Sequence, residues 1–323
     1  MKYLKGGRGL IAMVVLIVIF LVTAISQNIW SNPKSTVRKK VSFIAYGDDS
    51  ERWENMREGA GLVCEEKEAD LVLMTTLLED DVNEQKEIIE REIEDGADAL
   101  IIAPCSNEIK EYIDSKKLRI PVVFAESDGS PESGRRCISV DDYELGYSLG
   151  SEIAEHESDI VTVAIISENA DIDSVAFREK GLRDAIEGKI GKLINWSRNE
   201  NEETVNKRVF IQRALVSEAT DVIVTFDNST TDALLDALEN LNQKSKVYSI
   251  STSNKAVYNL YNKEIIALGY SDEFSIGYLS AMYALSPSEA EKKYPDKEAE
   301  YRIVRKENMY DEDNQTLLFP FVN

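Results

Sequence analysis

The chain has 323 residues, 43% of them hydrophobic, and its 59 Asp and Glu side chains outnumber its 37 Lys and Arg. Residues 1–40 hold seven of the basic groups and no acid, so residues 41–323 carry a formal charge of −29. A surface this acidic repels phosphate backbones and excludes nucleic acid as an expected partner, while three scattered cysteines exclude a disulfide scaffold or a zinc site.

An apolar segment comes first along the chain. Residues 10–25 carry no charge and a single polar side chain, and the apolar character continues to Trp30. About 20 such residues are the length that crosses a bilayer. We favour an uncleaved anchor over a cleaved signal peptide, because the apolar run is long for a signal. The predicted divisions are a cytoplasmic tail at 1–9, a transmembrane anchor or signal segment at 10–30, and a basic stalk at 31–40.

The remaining chain alternates short β-branched runs with longer amphipathic stretches. The first set has strands at 41–46, 71–75, 99–103 and 122–125, and helices at 51–68 and 83–95. The pattern then begins again, with a helix at 144–155 and strands at 161–166, 192–196, 222–226, 247–250 and 265–268. Strands and helices alternating at this spacing predict parallel sheets covered on both faces. Two successive sets predict two lobes.

Sequence motifs for catalysis or for nucleotide binding are missing. The first strand is followed by no G-x-G-x-x-G, and the chain contains no G-x-x-x-x-G-K-[ST]. His156 is the only histidine, so a histidine-based triad has one candidate, and no serine motif accompanies it. We therefore expect no enzymatic activity, no cofactor and no metal.

Polar side chains follow several predicted strands. Open parallel sheets bind ligands at the carboxyl ends of their strands, so these positions are candidates for a binding site. The first strand, the fourth strand and two strands of the second set contribute them. In chain order they are Asp49, Ser50, Arg52, Glu126, Ser127, Asp227 and Ser251.

Five short motifs, in this order, resemble the type I periplasmic binding proteins, the superfamily of ribose-binding and LacI-like domains. They are EDGADALIIAP from Glu94, IPVV from Ile120, VDDYELG from Val140, REKGL from Arg178 and ALG from Ala267. The resemblance covers residues 41 to about 306. It implies an α/β fold of two Rossmann-like lobes with parallel sheets that close on a small ligand, preceded here by one N-terminal transmembrane helix.

The resemblance also implies how the chain is divided between the lobes. Three crossovers are expected, near Asp141, near Ser271 and just before Tyr301. Lobe I then consists of residues 41–141 and 272–300, and lobe II of residues 142–271 and 301–323.

The same resemblance implies roles for individual residues. Trp53 stands where an aromatic ring stacks on a sugar, although it could instead be a core residue of the first helix. Arg178 matches an arginine that donates to ligand hydroxyls, although it could instead pair with an acid of the surface. Asp227 stands at an acceptor position, and Ser271 stands at the polar position of a crossover.

Other positions depart from the pattern of sugar binders. Arg52 stands where another aromatic is common, and Glu126 with Ser127 replaces a usual Asp-Arg pair. Ser251 replaces an aspartate, and Ser271 replaces Gln or Asn. The sequence thus keeps the features of the family's two-lobed shape and hinge, but it has fewer of the residues that sugar binders use to hold a sugar. The ligand is therefore left open: it could be a sugar, another small polar molecule or a cationic molecule. Loss of the ligand site is a further alternative.

The resemblance and the apolar segment together predict the function. We expect a single-pass protein of the cell membrane, with its C-terminal domain on the extracytoplasmic side, that binds a small polar, sugar-like ligand. It would act as a ligand sensor for a partner such as a histidine kinase. The alternative is the substrate-binding component of a sugar-type ABC importer, with a permease as the partner.

Overall fold

The computed structural model describes residues 38–47, 50–127, 135–158, 160–168, 172–198, 205–295 and 298–319. Residues 39–323 form one compact unit. The predicted segments at 1–9 and 10–30, most of the stalk, and Asp49 lie outside the described residues. Within the described ranges, no helix is both long enough and apolar enough to cross a membrane.

Lobe I is built on a five-stranded sheet in which all neighbours are parallel. Strands β1 (Lys39–Ala45), β2 (Ala69–Thr75), β3 (Ala99–Ile102), β4 (Val122–Ala125) and β5 (Arg136–Ile138) lie in the order β2-β1-β3-β4-β5. Helices α1 (Ser50–Glu66), α2 (Val82–Glu94) and α3 (Asn107–Ser115) connect them. Every residue of β3 and β4 is buried, as expected for parallel strands covered by helices on both faces.

Lobe II begins with helix α4 (Asp142–His156) and contains a six-stranded sheet. Its strands are β6 (Thr162–Ile166), β7 (Lys192–Trp196), β8 (Val222–Thr225), β9 (Lys246–Ile250), β10 (Ile265–Ser271) and β11 (Tyr301–Val304), in the order β11-β10-β9-β8-β6-β7. Its further helices are α5 (Asp173–Ile186), α6 (Lys207–Ser217), α7 (Asn228–Leu241) and α8 (Asn254–Tyr261). Strand β11 is antiparallel to β10.

The chain crosses between the lobes at both ends of lobe II. After β10 it returns to lobe I as α9 (Glu273–Leu285), which packs on α1 and on three strands of the first sheet, and as α10 (Pro287–Lys293). Strand β11 and the last helix, α11 (Glu312–Leu318), then belong to lobe II. Each lobe therefore has one helix that follows a crossover, α4 in lobe II and α9 in lobe I.

Each of these crossover helices lies in backbone contact with another helix of its own lobe, α9 with α1 and α4 with α5. A Cβ atom added to Gly59 or Gly277 would lie 2.0 or 1.9 Å from a carbonyl oxygen of the facing helix, in the pair α1 and α9. A Cβ added to Gly146 or Gly181 would lie 2.0 Å from a carbonyl oxygen in the pair α4 and α5. Only glycine allows this approach, so each helix pair holds its neighbouring side chains in a fixed arrangement.

The strands and helices predicted between residues 41 and 268 are all present, with ends that differ by at most three residues. Two strands, β5 and β11, were not predicted. Both are short and carry arginine, Arg136 in β5 and Arg302 in β11, so neither has the apolar run that marks a buried strand.

Candidate ligand-binding cleft

Side chains from the two lobes meet in a buried cleft. Glu126 directly follows β4 of lobe I, and Arg178 lies in α5 of lobe II. The Arg178 Nη2 and Glu126 Oε1 atoms are 3.7 Å apart, and each side chain is only 3% exposed. Two of the residues predicted from sequence are thus brought together across the lobes.

Arg52 joins the same cluster from α1. Its guanidinium forms an ion pair with Glu126, and its Nε lies 3.3 Å from Oε1 of Glu273, the first residue of α9. The sequence places Ser127, not arginine, beside Glu126. Arg52 instead brings a guanidinium to Glu126 from another element.

The backbone of Glu126 has an unusual conformation. Its φ is +71°, in the left-handed region that costs a residue with a Cβ about 1–2 kcal/mol. The Glu126 amide donates to the Ile138 carbonyl at 2.7 Å, and Ser139 Oγ donates to the Glu126 carbonyl at 2.7 Å. These bonds to the segment around β5 hold the turn that directs the carboxylate towards both guanidiniums.

Arg178 is held by its own lobe as well. Its Nε donates to Oδ1 of Asp142 at 2.7 Å, and its Nη1 donates to the Phe226 carbonyl at 3.0 Å. Asp142 is the first residue of α4 and also accepts from Ser139 Oγ at 2.8 Å. Complete burial raises the pKa of Asp142, although Arg178 and Ser139 act in the opposite direction. Arg178 therefore pairs with buried acids, not with an acid of the surface.

Five charged residues from the two lobes form a buried cluster that we call the cleft centre. It contains three carboxylates and two guanidiniums, each on a residue no more than 7% exposed. Buried charges are stable only when they are paired and hydrogen-bonded. The members of the cleft centre are Arg52, Glu126, Asp142, Arg178 and Glu273.

Sequence reasoning missed Asp142 and Glu273, although a repeated pattern marks both. The starts of the two crossover helices read DDYELG from Asp141 and DEFSIG from Asp272. In each, the aspartate side chain caps the helix by accepting a backbone N–H three residues on, at 2.9 Å. The next acid pairs with an arginine, and the glycine allows close helix contact. An internal comparison of the two lobes could have identified this repeat.

Two predicted residues of lobe II are bonded within that lobe. Asp227 caps α7 and accepts from the backbone N–H and the hydroxyl of Thr230, both at 2.8 Å. Ser251 donates its hydroxyl to Asn228 Oδ1 at 2.9 Å. Both are buried, at 8% and 3% exposure, so they stand at the cleft with hydrogen bonds already formed to their neighbours.

Trp53 lies in the core of lobe I. It is 1% exposed, its indole N–H donates to the Tyr46 carbonyl at 2.8 Å, and its ring meets the rings of Tyr46 and Phe43 edge to face, with centroids 5.0 and 6.3 Å away. Such pairs are typical of buried aromatic clusters. The ring presents no open face for stacking on a sugar in this arrangement, which agrees with the core interpretation.

The other predicted residues make no contact with the cleft centre that we describe, or lie outside the described residues. Ser271 lines a cavity of about 440 Å³ where the chain leaves β10. Ser127 is 2% exposed, and its hydroxyl has no hydrogen-bond partner within the described part of the chain. Asp49 and the side chain of Ser50 are not described.

A cavity of about 630 Å³, which we call the cleft mouth, lies between the lobes. Glu51 and Glu79 line it from lobe I, and lobe II contributes residues at the starts of α6, α7 and α8. Lys207 Nζ lies 2.9 Å from Glu79 Oε2 and 2.7 Å from Ser229 Oγ. Burial opposes the charged form of Lys207, but Asp227 and Glu79 outweigh it and raise its pKa. The lining is thus polar and charged, and the volume is that of a small-molecule site.

Metal binding finds no support in the described ranges. No group of three or more His, Cys, Asp and Glu side chains is arranged there to hold a metal ion.

Solved structures share this fold at low sequence identity. A carbohydrate transporter solute binding protein from Agrobacterium radiobacter, in complex with D-arabinose, is 19% identical with a TM-score of 0.74, over 88% of this chain and 100% of that chain. An ABC transporter solute binding protein from Agrobacterium vitis, with bound D-fucose, is 16% identical with a TM-score of 0.73, over 87% and 100%. The XylFII-LytSN complex is 15% identical with a TM-score of 0.71, over 84% and 99%.

Sequence comparison identifies the family. No curated protein matches the sequence. Residues 41–292, most of the chain, match the family model described as periplasmic binding protein domain. That range includes both sheets except β11 and the first two residues of β1, and it includes the whole cleft centre. The chain therefore belongs to the periplasmic binding protein domain family, and it has the two-lobed α/β fold of the type I members.

Proposed function

We propose that this protein is a membrane-anchored, extracytoplasmic binding protein for a small polar, sugar-like ligand, and that it serves as the ligand sensor of a partner membrane protein such as a histidine kinase. The observation that carries the proposal is the approach of Arg178 to Glu126, which sets hydrogen-bonding groups of both lobes in one cleft. A ligand bound by both lobes shifts the balance between their open and closed arrangements, and this shift is the signal.

The chemistry of the cleft supports a polyhydroxylated ligand. Guanidinium, carboxylate, amide and hydroxyl groups supply donors and acceptors in the cleft centre and along the cleft mouth. Two relatives of the same fold hold D-arabinose and D-fucose. A non-enzymatic role fits this set of groups, because binding and release of a sugar require no nucleophile or acid-base pair.

Anchoring and sensing are supported by the N-terminal sequence and by one relative. Residues 10–30 have the length and composition of a membrane anchor, and the stalk after them is short. We place the domain on the extracytoplasmic side, where binding proteins of this family work. The XylFII-LytSN complex is an example of this fold assembled with a second protein.

Import is the second candidate function, and a specific observation favours it. The relatives that hold D-arabinose and D-fucose are both described as transporter solute binding proteins. The genes beside this one distinguish the two roles. Genes for a permease and an ATPase would support import, and genes for a histidine kinase and a response regulator would support sensing.

Calorimetry of the full-length protein in detergent, against a panel of pentoses, hexoses and their amino and acid derivatives, tests the proposal. We expect one class of sugar to bind with one site per chain. Arg178→Ala should weaken binding about 10- to 100-fold, because a charge-assisted hydrogen bond contributes about 1.5–3 kcal/mol.

Lys180→Ala is the matched control, since Lys180 lies on the same helix with its side chain 62% exposed. It should bind like the wild type. Absence of binding across the panel would contradict the proposed ligand class. Chemical conversion of a bound sugar, checked in the recovered samples, would contradict the non-enzymatic role.

A further inference from the structure

The cleft centre has the same construction on its two sides. In lobe I, Arg52 on α1 faces Glu273 at the first position of α9, with 3.3 Å between Nε and Oε1. In lobe II, Arg178 on α5 faces Asp142 at the first position of α4, with 2.7 Å between Nε and Oδ1. Each lobe thus has one buried arginine paired with the first residue of its crossover helix.

The glycine contacts make these two sides rigid. In each lobe, the helix that carries the arginine touches the crossover helix backbone to backbone. Sliding one helix along the other would bring main-chain atoms into collision. Neither arginine can therefore leave its own acid through a small shift of the helices.

Among the ion pairs of the described residues, those of Glu126 are the ones that connect the two buried arginines, one from each lobe. Its carboxylate forms an ion pair with Arg52 of its own lobe and lies 3.7 Å from Nη2 of Arg178 in the other lobe. The side chains of Arg52, Glu126 and Arg178 are 8%, 3% and 3% exposed. The backbone of Glu126 is in the left-handed conformation. Local strain of this kind persists only where surrounding contacts enforce it.

Other ion pairs between the lobes lie closer to solvent. Lys207 with Glu79 is one, with side chains 13% and 29% exposed, and Lys110 with Asp173 is another, with side chains 7% and 27% exposed. Water and salt weaken pairs of this kind far more than a pair at 3% exposure. Of these three ion pairs between the lobes, the pair of Glu126 with Arg178 is therefore the one least weakened by water and salt.

From these contacts we infer that Glu126 is a built-in bridge that holds the lobes closed by connecting the two buried arginines. This inference rests on the proposed function, and it concerns how the same site is regulated. The resting domain is closed, and a ligand that uses Arg178 must displace the Glu126 carboxylate from it. Only the fraction of molecules with the bridge open can bind, so the bridge lowers the apparent affinity by that fraction.

Interlobe distances measured by pulsed electron spin resonance test the bridge. Spin labels are attached to cysteines introduced at Glu111 on α3 and Glu239 on α7, both exposed, in the full-length protein. The background carries Cys137→Ser, which keeps a donor to the Ser127 carbonyl. Cys64 and Cys105 are only 2% and 4% exposed, so they do not react.

With no sugar added, we expect one short distance for the unsubstituted bridge and a longer, broader distribution for Glu126→Gln. Glu92→Gln is the matched control. Glu92 is a buried glutamate of lobe I that accepts from Ser42 and pairs with Lys40, away from lobe II, so its replacement should leave the distance unchanged. Arg178→Lys, which keeps the charge but loses the second guanidinium arm, should give an intermediate distribution and is the second variant if Glu126→Gln does not fold.

The same short distance in Glu126→Gln and Arg178→Lys would overturn the bridge, and so would a long distance before any substitution. These outcomes are independent of the sugar panel. Opening in Glu126→Gln, together with no binding of any sugar of the panel in calorimetry, would support the bridge and contradict the proposed ligand. Sugar binding in calorimetry, together with the same short distance in Glu126→Gln as in the unsubstituted protein, would support the ligand and contradict the bridge.

Discussion

The cleft centre and the cleft mouth lie side by side between the same two lobes, yet they differ in how their charges are satisfied. In the cleft centre, Arg178 is 3% exposed and donates hydrogen bonds to Asp142 and to the Phe226 carbonyl. Its guanidinium also lies 3.7 Å from the Glu126 carboxylate. At the cleft mouth, the pair of Lys207 and Glu79 borders a cavity of about 630 Å³ and stays partly exposed. The charged groups of the cleft centre are therefore paired with one another, whereas the cleft mouth has room for a ligand.

Replacing Arg178 should produce the largest effect on stability. Arg178→Ala leaves Asp142 and Glu126 buried without their shared guanidinium, and breaking a buried pair costs about 3–5 kcal/mol. Denaturation by urea measures this loss in the free energy of unfolding. Lys180→Ala, an exposed position on the same helix, should change it by less than about 0.5 kcal/mol. A loss for Arg178→Ala as small as that of the control would show that the centre contributes no stability.

Substitution in the contact between α4 and α5, next to the cleft centre, should have the second-largest effect on stability. In Gly181→Ala the new Cβ would lie 2.0 Å from the Tyr143 carbonyl oxygen, so α4 and α5 must separate. Overpacking of this kind costs about 1–3 kcal/mol. Gly188→Ala is an unsuitable control because φ at Gly188 is +68°. Gly61→Ala on α1 is suitable, since a Cβ there meets no atom within 4 Å, and it should stabilise or leave the midpoint of thermal unfolding unchanged.

Substitution at the cleft mouth should have a smaller effect. Lys207→Ala removes the contacts with Glu79 and Ser229, and a partly exposed pair contributes about 1 kcal/mol or less. Because the pair is accessible to ions, the wild-type advantage should shrink further in 1 M salt, as the Debye length falls to about 3 Å. A loss comparable to that of Arg178→Ala would remove the distinction between centre and mouth.

The pH dependence that Asp142 gives to the free energy of unfolding should be the smallest effect. Burial raises the pKa of Asp142 above its ordinary 3.8, so the folded protein keeps this proton at pH values where the unfolded chain has released it. The stabilisation from this group is full below 3.8 and is lost as pH rises through the folded-state pKa.

Comparison with Asp142→Asn isolates this contribution, because the other acids titrate in both proteins. Across a series of urea denaturations, the free energy of unfolding of the wild type should fall relative to that of Asp142→Asn as pH rises from about 4. A difference that stays constant with pH would mean that Asp142 has the same pKa in the folded and unfolded states.

The sequence predicts the fold well because local patterns carry it. The runs ALII in β3 and VIVT in β8 are buried along their whole length, and an apolar β-branched run of four or five residues marks such a strand. Arg178 was also predicted at the cleft, because its motif matches the arginine that the resembling family uses to donate to ligand hydroxyls.

The pairing inside the cleft was not predictable in the same way. Arg52 and Glu126 belong to different elements, and their contact depends on the left-handed turn at Glu126. Trp53 is adjacent to Arg52 on α1 but points into the core, because the Tyr46 carbonyl accepts its indole N–H. Neighbouring residues of one helix face different directions, and the spacing of polar residues alone does not specify which of them reaches the cleft.

A double-mutant cycle between Glu126 and Arg178 tests the central claim, that a contact between the lobes stabilises the cleft centre. The free energy of unfolding is measured for the wild type, Glu126→Gln, Arg178→Ala and the double variant. The account predicts a coupling energy of about 1 kcal/mol or more, as for residues that share one buried network. Effects that add to within about 0.3 kcal/mol would contradict it, because Glu126 and Arg178 would then act independently.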